Sequence, residues 1–95
     1  MPLYLAELYC KDGFERGCEL IGRALASGFP PGVTLKAGPW ASNEEAKLIL
    51  IMEIEDHSLT FAPFANALAQ GIFAKRRLTP IVSWSAVQHA IEQLS

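Results

Sequence analysis

The chain has 95 residues, 51% of them hydrophobic and 19% charged, with a formal net charge of −2. That length gives a single domain, residues 1–95, near the lower end of sizes that hold a core without staples. The charge balance excludes the basic footprint of a nucleic-acid binder, and no apolar run approaches the ~18 residues of a membrane span.

Pro2 to Cys10 reads as the first strand, with Leu3, Leu5 and Tyr9 on one side and Tyr4, Ala6, Leu8 and Cys10 on the other. Only Glu7 interrupts its apolar character. Asp12 followed by Glu15 is a capping-box variant that opens a helix, and Phe14, Cys18, Ile21 and Leu25 recur at helical spacing as its apolar stripe. Gly28 suits the C-cap, and Phe29-Pro30-Pro31-Gly32 ends the helix. Val33 to Trp40 reads as a second strand in which Gly38-Pro39 marks a bulge or an edge position. Ala41 to Ala46 is a hairpin-type loop into the strand that organises the chain.

That strand is Lys47 to Glu55, KLILIMEIE. Leu48, Leu50, Met52 and Ile54 point one way, while Ile49 and Ile51 point the other. A strand apolar on both faces must be covered on both. Asp56-His57-Ser58 then offers N-cap chemistry for a helix from about Ser58 to Gly71, with Phe61, Phe64, Leu68 and Ile72 inward. Pro63 inside it means either a separate first turn or a kink. Phe73 to Val82 reads as a fourth strand, with Pro80 placed where no neighbour needs its missing N–H. Ser85 with Gln88 forms a second capping box, opening a last helix whose Val87, Ala90, Ile91 and Leu94 share a face.

The order β-α-β-β-α-β-α is α+β. Its first six elements match the split-βαβ, ferredoxin-like arrangement, a four-stranded antiparallel sheet with two helices on one face, here with an extra C-terminal helix. The other sheet face is then bare, yet Ile49 and Ile51 lie on it. Leaving such side chains wet forgoes roughly 1.5–3 kcal/mol each, and together they make a patch larger than monomers carry. A homodimer packed sheet to sheet, with Ile49 and Ile51 at its interface, is the expected solution.

With Pro30-Pro31-Gly32-Val33, Gly38-x-Trp40, Glu53 with Asp56, and Thr79-Pro80-Ile81, the chain resembles the dimeric α+β-barrel superfamily. That superfamily includes muconolactone isomerases and small cofactor-free monooxygenases of antibiotic biosynthesis, and more specifically the chain is similar to a group of short bacterial domains of unknown function within it. Members of that group often place a His after the Trp, where this chain has Ala41. The resemblance implies the fold, the dimer and a small-ligand pocket between sheet and helices. It brings no established activity.

Candidate chemistry is sparse. His57, at the handover from strand to helix, has a pKa suited to general-base work, and a solvated capping-loop histidine is the plainer reading. Glu53 and Glu7 are acids within apolar strands. Burial would raise their pKa and suit them to acid-base work, whereas strand-end exposure or pairing with Arg76 explains them structurally. Trp40, His57, Phe61 and Phe64 are the candidate pocket lining, with core or interface packing as the plainer role for the aromatics. Cys10 and Cys18 are two thiols eight residues apart, with neither a disulfide framework nor the basic surroundings of a catalytic thiol. The N-terminal stretch lacks the pattern of a signal peptide, so a reduced, cytoplasmic protein is expected. No phosphate loop, nucleophile elbow or metal-ligand spacing appears, and no cofactor is expected. Two functions stand open: a module that binds or converts a small, partly apolar metabolite without a cofactor, and a non-catalytic dimerisation or protein-interaction module.

Overall fold

A computed structural model describes residues 2–94. Its elements are β1 (Leu3–Cys10), α1 (Glu15–Ser27), β2 (Val33–Ala41), β3 (Lys47–Ile54), a 3-10 turn (His57–Thr60), α2 (Phe61–Ala69), β4 (Phe73–Ile81) and α3 (Trp84–Leu94). The strands form one sheet in the order β2-β3-β1-β4, antiparallel throughout. This is the ferredoxin-like α+β fold with an additional C-terminal helix. The two strands that are apolar on both faces, β1 and β3, are the central pair. No helix among the described residues is long and apolar enough to cross a membrane.

The register sets the core. On the helix face Tyr4 lies opposite Met52, and Ala6 opposite Leu50, where a small side chain meets a large one. Leu48, Leu50, Met52 and Ile54 are all buried there, joined by Ile21 of α1, Ala67 of α2, and Ile72 and Phe73. β2 and β4 are the edges. Pro80 therefore sits on an edge strand, where one side of the backbone has no ladder to serve. Gly38-Pro39 falls within the second of two register shifts in the other edge strand. Gly38 has φ 92°, and a Cβ there would stand 2.9 Å from the Ile49 carbonyl oxygen, so only glycine fits.

Several local expectations are corrected. α1 starts after Phe14 with no side-chain cap, and Asp12 takes a positive φ of 59° instead of closing a box with Glu15. The inner face of α1 is Gly17 and Ile21, flanked by Leu20; Cys18 and Leu25 are exposed. Pro63 resolves into the separate-turn alternative. Asp56 accepts a hydrogen bond from the Ser58 N–H at 3.0 Å and caps the 3-10 turn, and α2 restarts at Phe61. On α2 the inward residue is Ala67, with Phe64 half-buried, while Phe61 and Leu68 are exposed. α3 begins at Trp84, and Ser83 rather than Ser85 supplies its cap, its Oγ accepting from the Ala86 N–H at 3.2 Å.

No residue of α3 is buried. Trp84 is 71% and Leu94 82% exposed. The chain measures 50 × 31 × 21 Å, with a radius of gyration of 14.9 Å against the roughly 12 Å of a rounded domain this long.

Candidate functional site

The helices do not close fully on the sheet. At Gly17 α1 comes close to the sheet, since a Cβ there would lie 2.8 Å from Cys10 Sγ and 3.0 Å from Phe73 Cε1. Beyond that point α1 presents Leu20, Ile21 and Ala24, α2 presents Phe64 and Ala67, and between them and the sheet opens a cleft of about 260 Å³. Its floor is the central pair, with Ala6, Leu50 and Met52. Small inward side chains make the space. Alanine at 24 and 67 leaves room that leucine would fill.

Three polar side chains reach this lining, Thr60, Asn66 and Arg76. Arg76 is the only charged one among the described residues. It stands opposite Leu8 on β4 and so points to the helix side, while Lys75 and Arg77 point the other way. Its Nη1 donates to Thr60 Oγ1 at 2.8 Å and to the Thr60 carbonyl at 3.2 Å. The guanidinium lies 4.5 Å from the centroid of the Phe64 ring, within cation–π range. Burial pulls its pKa below the ordinary arginine value, and it forms no ion pair among the described residues.

The expected grouping of Trp40, His57, Phe61 and Phe64 does not form. Phe64 alone lines the cleft. Trp40, 52% exposed, stands opposite Ile49 on the far side of the sheet. His57 opens the 3-10 turn with an exposed side chain, and Phe61 is 66% exposed. Glu53 and His57 are not brought together, for Glu53 lies on the open sheet face 4.0 Å from Lys36. Burial holds the Cys10 thiol above its ordinary pKa, with Cys18 adding to the effect, so Cys10 is neutral at pH 7. Arg76 was visible in the sequence as the middle of a basic triplet. Strand alternation anchored on Leu78 assigns it alone to the inner face.

The open face carries Leu3, Leu5, Glu7 and Tyr9 from β1 against Glu53, Ile51, Ile49 and Lys47 from β3. Ile49 and Ile51 are half-buried within the single chain. Glu7 pairs with Lys47, not with Arg76, which lies on the opposite face. Lys47 Nζ donates to Glu7 Oε2 at 2.6 Å and sits 3.3 Å from Glu45. The Lys47 hydrogen bond, the largest cause, lowers the Glu7 pKa, and the same bond raises that of Lys47. A carboxyl depressed in the folded state contributes stability above its unfolded pKa of about 4.3, and an amine raised on folding contributes below about 10.4. The pair should therefore support the fold between those limits, with loss as pH falls through the depressed Glu7 value. In a series of thermal unfolding curves from pH 7 to pH 2, Glu7→Gln should flatten the acid limb. An unchanged acid limb would remove the pair from the account.

Among the described residues no three His, Cys, Asp or Glu side chains gather as a metal site. Family models, curated proteins and solved structures were compared with the chain, and none matches.

Proposed function

We propose that the chain is a dimeric α+β-barrel protein that binds, or converts without a cofactor, a small and largely apolar molecule in the cleft between its helices and sheet. The observation that carries this reading is the cleft itself, about 260 Å³ and walled by aliphatic and aromatic side chains with three polar groups at most. Small-molecule sites have this make-up, an apolar wall with a few placed polar groups. Titration with the neutral fluorophore N-phenyl-1-naphthylamine should give saturable enhancement. Ala24→Trp, a half-buried position on the α1 wall, should weaken that binding at least tenfold while leaving the unfolding midpoint in place. Enhancement that never saturates, or that ignores the tryptophan, would refute the cleft as a site.

A second reading, a dimerisation module, is favoured by the open sheet face, and the two are compatible. The occupant proposed for that face is a second copy of this chain. Four strands of eight or nine residues offer a face of about 19 by 27 Å, or roughly 500 Å². A standard interface needs about 800 Å² per partner, so the sheet alone falls short. α3 supplies the rest. Eleven residues make a helix face of about 16 by 10 Å, and in a two-fold assembly each subunit both gives one such face and receives one. That brings each subunit's share to about 800 Å².

A further inference from the structure

We propose that the ligand of the cleft is an apolar carboxylate, its acid group held by Arg76 and its hydrocarbon part laid over the floor formed by Ala6, Leu50 and Met52. This rests on the cleft reading above and narrows it to a chemical class.

Arginine has five N–H donors. Nη1 is turned to Thr60, which leaves Nε and the two on Nη2 without a protein acceptor among the described residues. The Nε–Nη2 edge is a fork matched to the two oxygens of a carboxylate. Two contacts fix the fork in place before any ligand arrives: Thr60 holds one end, and the Phe64 ring lies 4.5 Å from the guanidinium carbon. Little side-chain freedom is then left to lose on binding.

The charge is also uncompensated where compensation is ordinarily found. Half-buried Lys47, on the other face, has two carboxylates within 4 Å. Among the described residues half-buried Arg76 has none, and no acid is in the cleft lining. A partly desolvated cation at the rim of an apolar hollow favours a molecule that is anionic at one end and apolar at the other. A dianionic or polyol ligand would leave polar groups facing Leu50 and Met52 without partners, at a desolvation cost.

The test compares octanoate with 1-octanol by isothermal titration calorimetry. In the unmodified protein octanoate should bind more tightly than octanol by roughly ten- to a hundredfold, as hydrogen bonds to a charged group allow. Arg76→Gln should abolish that preference while octanol affinity holds, and Arg76→Lys, which keeps the charge but not the fork, should retain only part of it. Equal binding of the two by the unmodified protein, or a preference that survives Arg76→Gln, overturns the assignment to a carboxylate and leaves the cleft reading standing. Binding of neither overturns both. Should Arg76→Gln fail to fold for want of its Thr60 anchor, carbon NMR of carboxyl-labelled octanoate on the unmodified protein decides. The bound carboxyl should titrate below the free acid, since Arg76 is the one charged side chain in the lining, and an unchanged or raised value overturns the proposal.

Discussion

Ile51→Glu is expected to turn a dimer of the 10.4 kDa chain into a monomer. Ile51 lies in the middle of the open face, opposite Leu5 on β1 and Ala37 on β2. In a face-to-face two-fold assembly each substitution occurs twice. Loss of two buried isoleucines, at about 1.5–3 kcal/mol each, raises the dissociation constant by a hundredfold or more. Two carboxylates drawn into an apolar interface add to that loss. Ile51 takes no part in the helix-side core, so the monomer should keep its fold, as far-UV circular dichroism will show. Sedimentation equilibrium reads the mass. An unmodified chain that stays monomeric at high micromolar concentration would end the sheet-to-sheet account.

Leu50→Ala acts on the opposite face and on a different quantity. Leu50 is 2% exposed and stands across from Ala6, which is too small to fill a gap. Leucine-to-alanine changes in a core cost about 2–5 kcal/mol. The whole stability of a chain this long is only about 5–14 kcal/mol. The urea midpoint should fall by roughly 1–3 M, and the apolar floor of the cleft should be lost with it. Ile49→Ala, one residue away on the same strand but on the open face, should shift the midpoint far less in dilute protein. A similar loss at both positions would mean that the two faces are equally buried.

The opposite behaviour of neighbouring residues in one strand is what the sequence conveys best. An unbroken run of aliphatics leaves little choice but a central strand, and β3 is central. The helices were harder, and for one physical reason. Apolar periodicity ranks residues by hydrophobicity, so it turned Leu25, Phe61 and Leu68 inward. The chain turns Gly17, Ala24 and Ala67 inward instead. At Gly17 the missing side chain is what allows α1 to touch Cys10 and Phe73, and no hydrophobic pattern marks an absent side chain as a contact. The cleft is a product of those small residues, so it was legible only as an idea borrowed from a resemblance, with mostly different walls. Trp40 enters the expected pocket only through the resemblance; counting by twos from Val33 and Leu35, which face the helices, leaves it on the open face, where it stands opposite Ile49. Arg76 was within reach, because counting back from Leu78 on β4 by twos assigns it to the helix side.

The exposed α3 links secondary structure to dose. Isolated helices shorter than about 12–15 residues are marginal in water, and this one has eleven residues, none of them buried. Its Trp84, Ile91 and Leu94 gain nothing from water. Such a segment owes its order to whatever covers it, and when the cover is another molecule of the same chain, that order follows the law of mass action. The chain then has two folding temperatures in principle, a fixed one for the sheet and its two helices, and one for the tail that climbs as the protein accumulates.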